Sequence, residues 1–368
     1  LYVGSKIYPE SMKKIILLLA GYTGITPCIS AQTIGTTYTT EVQYNFKSSA
    51  NWVNLLRFET SIDIGKSGRF NYASIHIFKT SAQPIASDWQ TFSNIEEINM
   101  AYGLAILGYT QKIRDILLFT GIRNVNEDYF VSPCTALFTN SSCGIFPTIS
   151  ANYPLGNYPL SAMCIHLDYK INNHWQLQYS LYNGLAHKVF EKGNNVFSIC
   201  PSQEGIFNIS ELSYQQNRTY HGLYSGGFTI HNRLYSNNEN GEQTLEEKKI
   251  NFSGWFYLEQ CLFKKNQKEI NLLAQYSANL SINMGCKRYT GFGVTLSNIV
   301  FSSKENTLGT FINCARYTYG REVSYELTWK ICMKKNFNLQ PAFHLINNKE
   351  GTFSIGMLRA SYAFNLPL

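Results

Sequence analysis

The segment Glu322 to Ile331, EVSYELTWKI, alternates almost without fault. Val323, Tyr325, Leu327, Trp329 and Ile331 are apolar, while Glu322, Ser324, Glu326, Thr328 and Lys330 are polar or charged. Successive side chains of a strand point to opposite faces, so this stretch builds a sheet with one apolar and one wet face. The same period returns in AMCIHLDYK, where Met163, Ile165, Leu167 and Tyr169 oppose Cys164, His166, Asp168 and Lys170. It returns again in HWQLQYSLY and near the end, where Leu358, Ala360, Tyr362 and Phe364 share a face. The apolar face must meet either the core of a soluble sandwich or lipid.

Composition leans towards lipid. Charged residues are 15% of the chain, against roughly 25% in a typical soluble domain. Aromatic residues reach 14%, yet the mean hydropathy is only −0.18. A helical membrane protein needs stretches of roughly 20 apolar residues, and none is present. Few charges, many aromatics and middling hydropathy suit a transmembrane barrel, whose lipid-facing and lumen-facing residues average out along each strand.

The beginning of the chain agrees. Lys13 and Lys14 form a basic start, Ile15 to Ala20 a short apolar run, and Ile29-Ser30-Ala31 a cleavage site before Gln32. Residues 1–11 precede Met12 and read as an upstream extension, so residues 1–31 are leader and 32–368 one barrel domain. Removing residues 1–31, with three Lys and one Glu, lowers the net charge from +7 to +5. No basic block suggests nucleic acid, and a modest positive field inside a pore is the more useful reading. Of the nine cysteines, Cys28 falls in the leader. Cys134 and Cys143 could bridge within one loop in an exporting compartment, and no zinc spacing is present.

The connections have a rhythm. Short turn-like pieces fall at 65–69, 111–115, 172–174, 215–219, 264–268, 302–306 and 334–336. Longer or more polar segments, 80–97, 125–160, 184–205 and 232–248, fall between several of them. Tight turns on one rim and long loops on the other are what a transmembrane antiparallel β-barrel produces. Counting by this punctuation gives about sixteen strands, from near Glu41 to near Phe364, with both ends on the rim of tight turns. The loop at 125–160 is the third on the long-loop rim. Pro133, Pro147, Pro154 and Pro159 restrict its backbone, so it can hold a shape folded into the lumen.

Several segments resemble the carbohydrate-selective porins, the OprB-like family of Gram-negative outer membranes. These are DWQTFSNIEE (88–97), LFTNSSCGIFPTISANYPLGNYPLSA (137–162), NTLGTFINCARY (306–317) and EVSYELTWKICMKKNFNLQPAFHLI. The resemblance runs from about residue 41 to the C-terminus. It implies an all-β barrel of about sixteen strands, narrowed by infolded external loops, through which sugars diffuse down a gradient. The family carries a Gly-Lys-x-Asp-x-Asn run entering the third loop, where this chain has GIRNVN. Ile122 stands at the lysine position and Asn124 at the aspartate position, while Arg123 and Asn126 remain.

Periodicity gives the lumen-facing candidates. Arg57, Glu59 and Asp63 lie on one strand, His166 and Asp168 on another. Glu322, Glu326 and Lys330 lie on the opening segment, with Gln340 and His344 opposite and Arg359 on the last strand. With Arg123 and Asn126 they form the candidate pore lining, in which opposed cations and carboxylates order water against apolar solutes. No GxSxG, HExxH, phosphate-binding loop or dinucleotide fingerprint is present, which disfavours an enzyme. The expectation is a cofactor-free outer-membrane porin for sugars and other small hydrophilic solutes, as a monomer or homotrimer. A surface glycan-binding or adhesive barrel with a plugged lumen is the alternative, followed by a soluble exported lectin.

Overall fold

A computed structural model describes residues 29–187, 195–237, 243–246, 250–281, 285–300 and 305–367. Residues 1–28, most of the expected leader, lie outside the described residues. The alternating segments all form strands. In chain order they are β1 (Ile29–Tyr44), β2 (Ala50–Ile64), β3 (Gly68–Lys79), β4 (Met100–Ile113), β5 (Ile116–Arg123), β6 (Ala162–Lys170), β7 (Trp175–Asn183), β8 (Ile206–Gln216) and β9 (Gly222–His231). A small hairpin, β10 (Leu234–Asn237) and β11 (Gln243–Glu246), sits in the next connection. Then follow β12 (Asn251–Lys265), β13 (Lys268–Asn279), β14 (Cys286–Ser297), β15 (Asn306–Tyr317), β16 (Gly320–Lys334), β17 (Phe337–Asn348) and β18 (Gly351–Pro367).

Every strand except those of the small hairpin joins one closed antiparallel barrel of sixteen strands, each paired with its sequence neighbours. The β1–β18 ladder closes it, from Thr33 opposite Pro367 to Tyr44 opposite Gly356. Because that ladder starts at Thr33, a cut between Ala31 and Gln32 would leave the closing seam whole. Only the Ile29, Ser30 and Ala31 pairs with β2 would go. Turns at 65–67, 114–115 and 335–336 mark one rim, and the connections 80–99, 124–161 and 184–205 mark the other. The last two connections of the loop rim, 318–319 and 349–350, are as tight as any turn.

Exposure settles which face meets lipid. On β16, Glu322, Ser324, Glu326 and Thr328 are buried, while Tyr325 and Leu327 are 37% and 42% exposed. Trp52, Phe58, Ile165, Leu181, Phe228, Phe256, Phe292, Ile312 and Phe343 are likewise exposed around the outside. A soluble protein does not expose so continuous an apolar band, and the inside carries the polar residues.

The inside is not an open tube. Connection 124–161 folds inward and packs Phe130, Phe138, Phe146 and Ile149 against Phe207, Trp255, Tyr289 and Phe311 of the wall. Ring centroids lie 5.1 Å apart for Phe130–Trp255 and 5.0 Å for Phe138–Phe311. Such pairs add about 0.5–1.5 kcal/mol each beyond the area they bury. Gly309 of β15 permits the approach, since a Cβ there would lie 2.4 Å from a Leu137 methyl. One side of the lumen is therefore filled by the third loop.

Cys134 and Cys143, read above as a candidate bridge, are both free and buried in that loop. The loop winds along the wall instead of closing on itself. Cys134 Sγ sits 3.7 Å from Thr295 Oγ1, while the Cys143 carbonyl accepts from Gln275 at 2.7 Å. Burial beside Glu259 raises the Cys134 thiol, keeping it protonated and poor at disulfide exchange.

Candidate functional pore and its loops

The second loop, 80–99, also turns inward, and wall carboxylates hold both loops. Glu322 accepts from the backbone N–H groups of Trp89 (2.7 Å) and Gln90 (3.0 Å) and from Asn348 Nδ2 (2.7 Å). Glu326 accepts from Thr139 N (2.8 Å), Thr139 Oγ1 (3.0 Å) and Asn140 N (3.1 Å). Gln340 donates to the Leu137 carbonyl at 2.7 Å, and His344 Nε2 lies 3.0 Å from Thr139 Oγ1. Periodicity places these four side chains on the lumen face, but the loops cover Glu322, Glu326 and His344 and leave Gln340 only a sliver of surface. A carboxylate or amide inside a barrel is a ready acceptor for loop N–H groups, and each buried N–H needs one.

The loops are also tied together. Asn94 N donates to the Thr139 carbonyl at 2.7 Å, Ser141 N to the Thr91 carbonyl at 2.9 Å, and Tyr158 Oη to the Ile95 carbonyl at 2.9 Å. Asn126 accepts from Tyr158 N at 3.0 Å, which fixes the base of the third loop.

Among the described residues, two cavities border the infolded loops and the lumen wall. The larger, about 680 Å³, lies between the loops and the wall, where Arg57, Lys330, Gln340 and Arg359 project. Arg57 grips Glu127 of the third loop with both terminal nitrogens, at 2.7 and 3.1 Å, and reaches Glu59 with Nε at 3.1 Å. Arg359 binds the fully buried Glu41 of β1 and donates to Asn94 Oδ1 at 2.7 Å. Lys330 makes no hydrogen bond or ion pair among the described residues and is half-buried on the cavity wall. Trp89, Tyr158 and Tyr317 contribute ring surface to the same cavity.

The smaller cavity, about 460 Å³, opens beside the 65–67 turn. Asp63 is paired there with Arg69 at 2.7 Å, and Asp168 accepts from Gln176 at 2.6 Å. Arg123 holds Asp128 at 2.6 Å and lies 4.9 Å over the Phe119 ring. His166 Nδ1 meets Ser180 Oγ at 2.8 Å, and its Nε2 stands 3.5 Å from Asp128. The sequence-derived candidates thus separate into three groups: around the large cavity, around the small one, and beneath the loops.

Glu41, Asn94, Glu127 and Asp128 were missed by the sequence reading, yet a signal existed. Glu127 and Asp128 are the only charged residues between 124 and 161. Both meet arginines of the wall.

Asp88 gives the loops a pH dependence. Burial, reinforced by the Glu322 carboxylate, pushes it up to about 7, although it accepts from Phe92 N at 2.6 Å. Asp88 therefore binds its proton more tightly in the docked loop than in the unfolded chain. Its stabilising contribution is complete below the ordinary aspartate range and is lost as the pH rises through about 7. Backbone exchange in the 88–94 segment, corrected for intrinsic rates, is expected to be faster at pH 8 than at pH 5. Asp88→Asn should flatten that difference, and an unchanged profile would remove Asp88 as its source.

The family model for the carbohydrate-selective porin, OprB family, matches residues 56–361. The chain belongs to that family. Among solved structures, the high-pH structure of Pseudomonas putida OprB is similar at a TM-score of 0.75 and 13% identity, covering 91% of this chain and 94% of that one. The low-pH structure of the same protein gives 0.58 at 12% identity, covering 99% and 100%. The anion-selective porin from Comamonas acidovorans gives 0.58 at 11% identity, covering 91% and 100%. At these identities the structural matches speak for the fold alone. No curated protein sequence matches the chain. Family and barrel together make it an outer-membrane porin for sugars in a Gram-negative envelope.

Proposed function

We propose that sugars cross this OprB-family porin by way of the larger cavity, between the infolded loops and the wall that carries Arg57, Lys330 and Arg359. The observation that carries this reading is the lining itself: hydrogen-bonding side chains and aromatic ring faces share one cavity of about 680 Å³. A sugar exchanges hydroxyl–water bonds for bonds to Gln90, Asn94 and Asn126, and slides its apolar ring face over Trp89 or Tyr158. Such contacts are numerous but individually weak, so the solute also leaves. Arg123, Asp63, His166 and Asp168 then line the exit through the smaller cavity.

Purified porin in liposomes should admit neutral hexoses faster than zwitterionic amino acids of matched size. Equal rates for all solutes of one size would reduce the reading to a general porin. Absence of any flux, combined with tight glycan binding, would favour the plugged surface-binding barrel.

Lys330 makes no ion pair among the described residues, so it adds to the field of the larger cavity without a partner to cancel it. Lys330→Glu should shift the reversal potential in a salt gradient towards cation preference while leaving hexose flux within a small factor. An unmoved reversal potential would place Lys330 outside the conducting path.

A further inference from the structure

At the turn rim, three donors from three separate elements converge on the lumen face. His221 lies in the turn before β9, Cys261 near the end of β12, and Glu269 at the start of β13. His221 Nε2 is 3.0 Å from Glu269 Oε1, and one ligand atom from each residue lies within 4.8 Å of the other two. The backbone fixes this meeting. Cys261 N donates to the His221 carbonyl at 2.9 Å, and an irregularity in the β12–β13 register falls directly after Cys261. Such bulges re-aim side chains. Cys261 is a free thiol, 2% exposed, and the pore as described has no use for it.

We infer that His221, Cys261 and Glu269 form a binding site for a divalent transition metal of the zinc class at the turn-side mouth of the pore. Imidazole, thiolate and carboxylate are the donor types zinc takes, and three protein ligands leave a fourth position for water. Ligand atoms around zinc stand about 3–4 Å apart for bonds of 2.0–2.3 Å. The present spacing therefore closes with a movement of about an ångström. Lys264 Nζ holds the other carboxylate oxygen at 3.1 Å, which keeps Oε1 facing the histidine. On binding, the Cys261 thiol gives up its proton to solvent and the ring nitrogen of His221 that faces the metal carries none. Affinity therefore falls towards acidic pH.

The test is calorimetric titration of the detergent-solubilised, folded porin with Zn²⁺ alone, repeated with Co²⁺ followed by absorption. One equivalent is expected to bind, with a thiolate-to-cobalt charge-transfer band and a higher unfolding temperature. Cys261→Ser should abolish the band and weaken Zn²⁺ at least tenfold. His221→Ala, at an exposed turn, should weaken binding in a barrel that folds normally. Cys314→Ser, on another strand, should change nothing. Binding that survives Cys261→Ser with the band intact, or wild-type binding no tighter than that of His221→Ala, overturns the site. Hexose flux of the variants remains at the wild-type level, so the outcome is independent of the transport path.

Discussion

Glu326→Ala should widen the pore more than any other single change. Its carboxylate is 1% exposed and accepts two backbone N–H groups and a hydroxyl, all from Thr139 and Asn140. Alanine would leave the two backbone donors buried without an acceptor, at about 1–3 kcal/mol apiece, while the Thr139 hydroxyl keeps His344 Nε2. Together they exceed what neighbouring hydrogen bonds recover, so the 135–143 arm should leave the wall and admit water. Single-channel conductance should rise severalfold, and liposomes should begin to admit oligosaccharides that the wild type excludes. Glu326→Gln separates this from simple misfolding. It keeps one acceptor oxygen but turns an amide N–H towards a backbone donor, so a smaller rise is expected in a barrel of normal heat-resistant mobility. Wild-type conductance in both variants would show that the apolar packing alone seats the loop.

Arg57→Ala is the second large effect, and it acts on charge. The guanidinium makes a two-pronged contact to Glu127 and a third bond to Glu59, and its side chain and that of Glu127 are 25% and 17% exposed. Without it, the Glu127 carboxylate faces the cavity unneutralised, with Glu59 unpaired on the wall beside it. Coulomb attraction at this distance is about 4 kcal/mol at an intermediate dielectric, and partial exposure screens most of it. About 1 kcal/mol of changed potential at the narrowing is still about a fivefold change in an equilibrium ratio. The reversal potential should therefore move strongly towards cations, and Glu127→Gln on the same background should move it back. A double variant that keeps the full shift would mean that Arg57 acts on something other than Glu127. Among the described residues, Glu59 is the other carboxylate that Arg57 reaches.

Much of the barrel could be read from period and punctuation. EVSYELTWKI put Tyr325 and Leu327 on the lipid side and Glu322 and Glu326 inside because a strand has only two faces. The turns at 65–69, 111–115 and 334–336 coincide with tight connections because antiparallel neighbours need nothing longer. Periodicity could not say what covers an inward side chain, however. Glu322 and Glu326 were expected to meet water and solute, whereas loop N–H groups reach them from residues some two hundred positions away. Such contacts depend on where a loop settles, which no local pattern carries. The charge content of the third loop was the neglected clue, since a long segment with Glu127 and Asp128 as its only ions does not belong in open water. Asn124 is intelligible in the same terms. It sits buried beside Glu127 and donates to it at 3.4 Å, where the aspartate of the family pattern would add a like charge.

The lopsided filling of the lumen divides labour around the circumference. The arc from β7 to β15 is bound to the aromatic side of the third loop, so its inward residues are constrained by volume. On the opposite arc Arg57 of β2, Lys330 of β16 and Arg359 of β18 border the large cavity, where a change of side chain alters an interaction without displacing a mass, whereas Glu322 and Glu326 of β16 hold the loop arms. Selectivity can therefore drift at these cavity-facing positions while the packed arc and the Glu322 and Glu326 contacts hold the gauge of the passage constant. A barrel with a centred constriction could not separate the two so cleanly, because every wall residue would serve both ends.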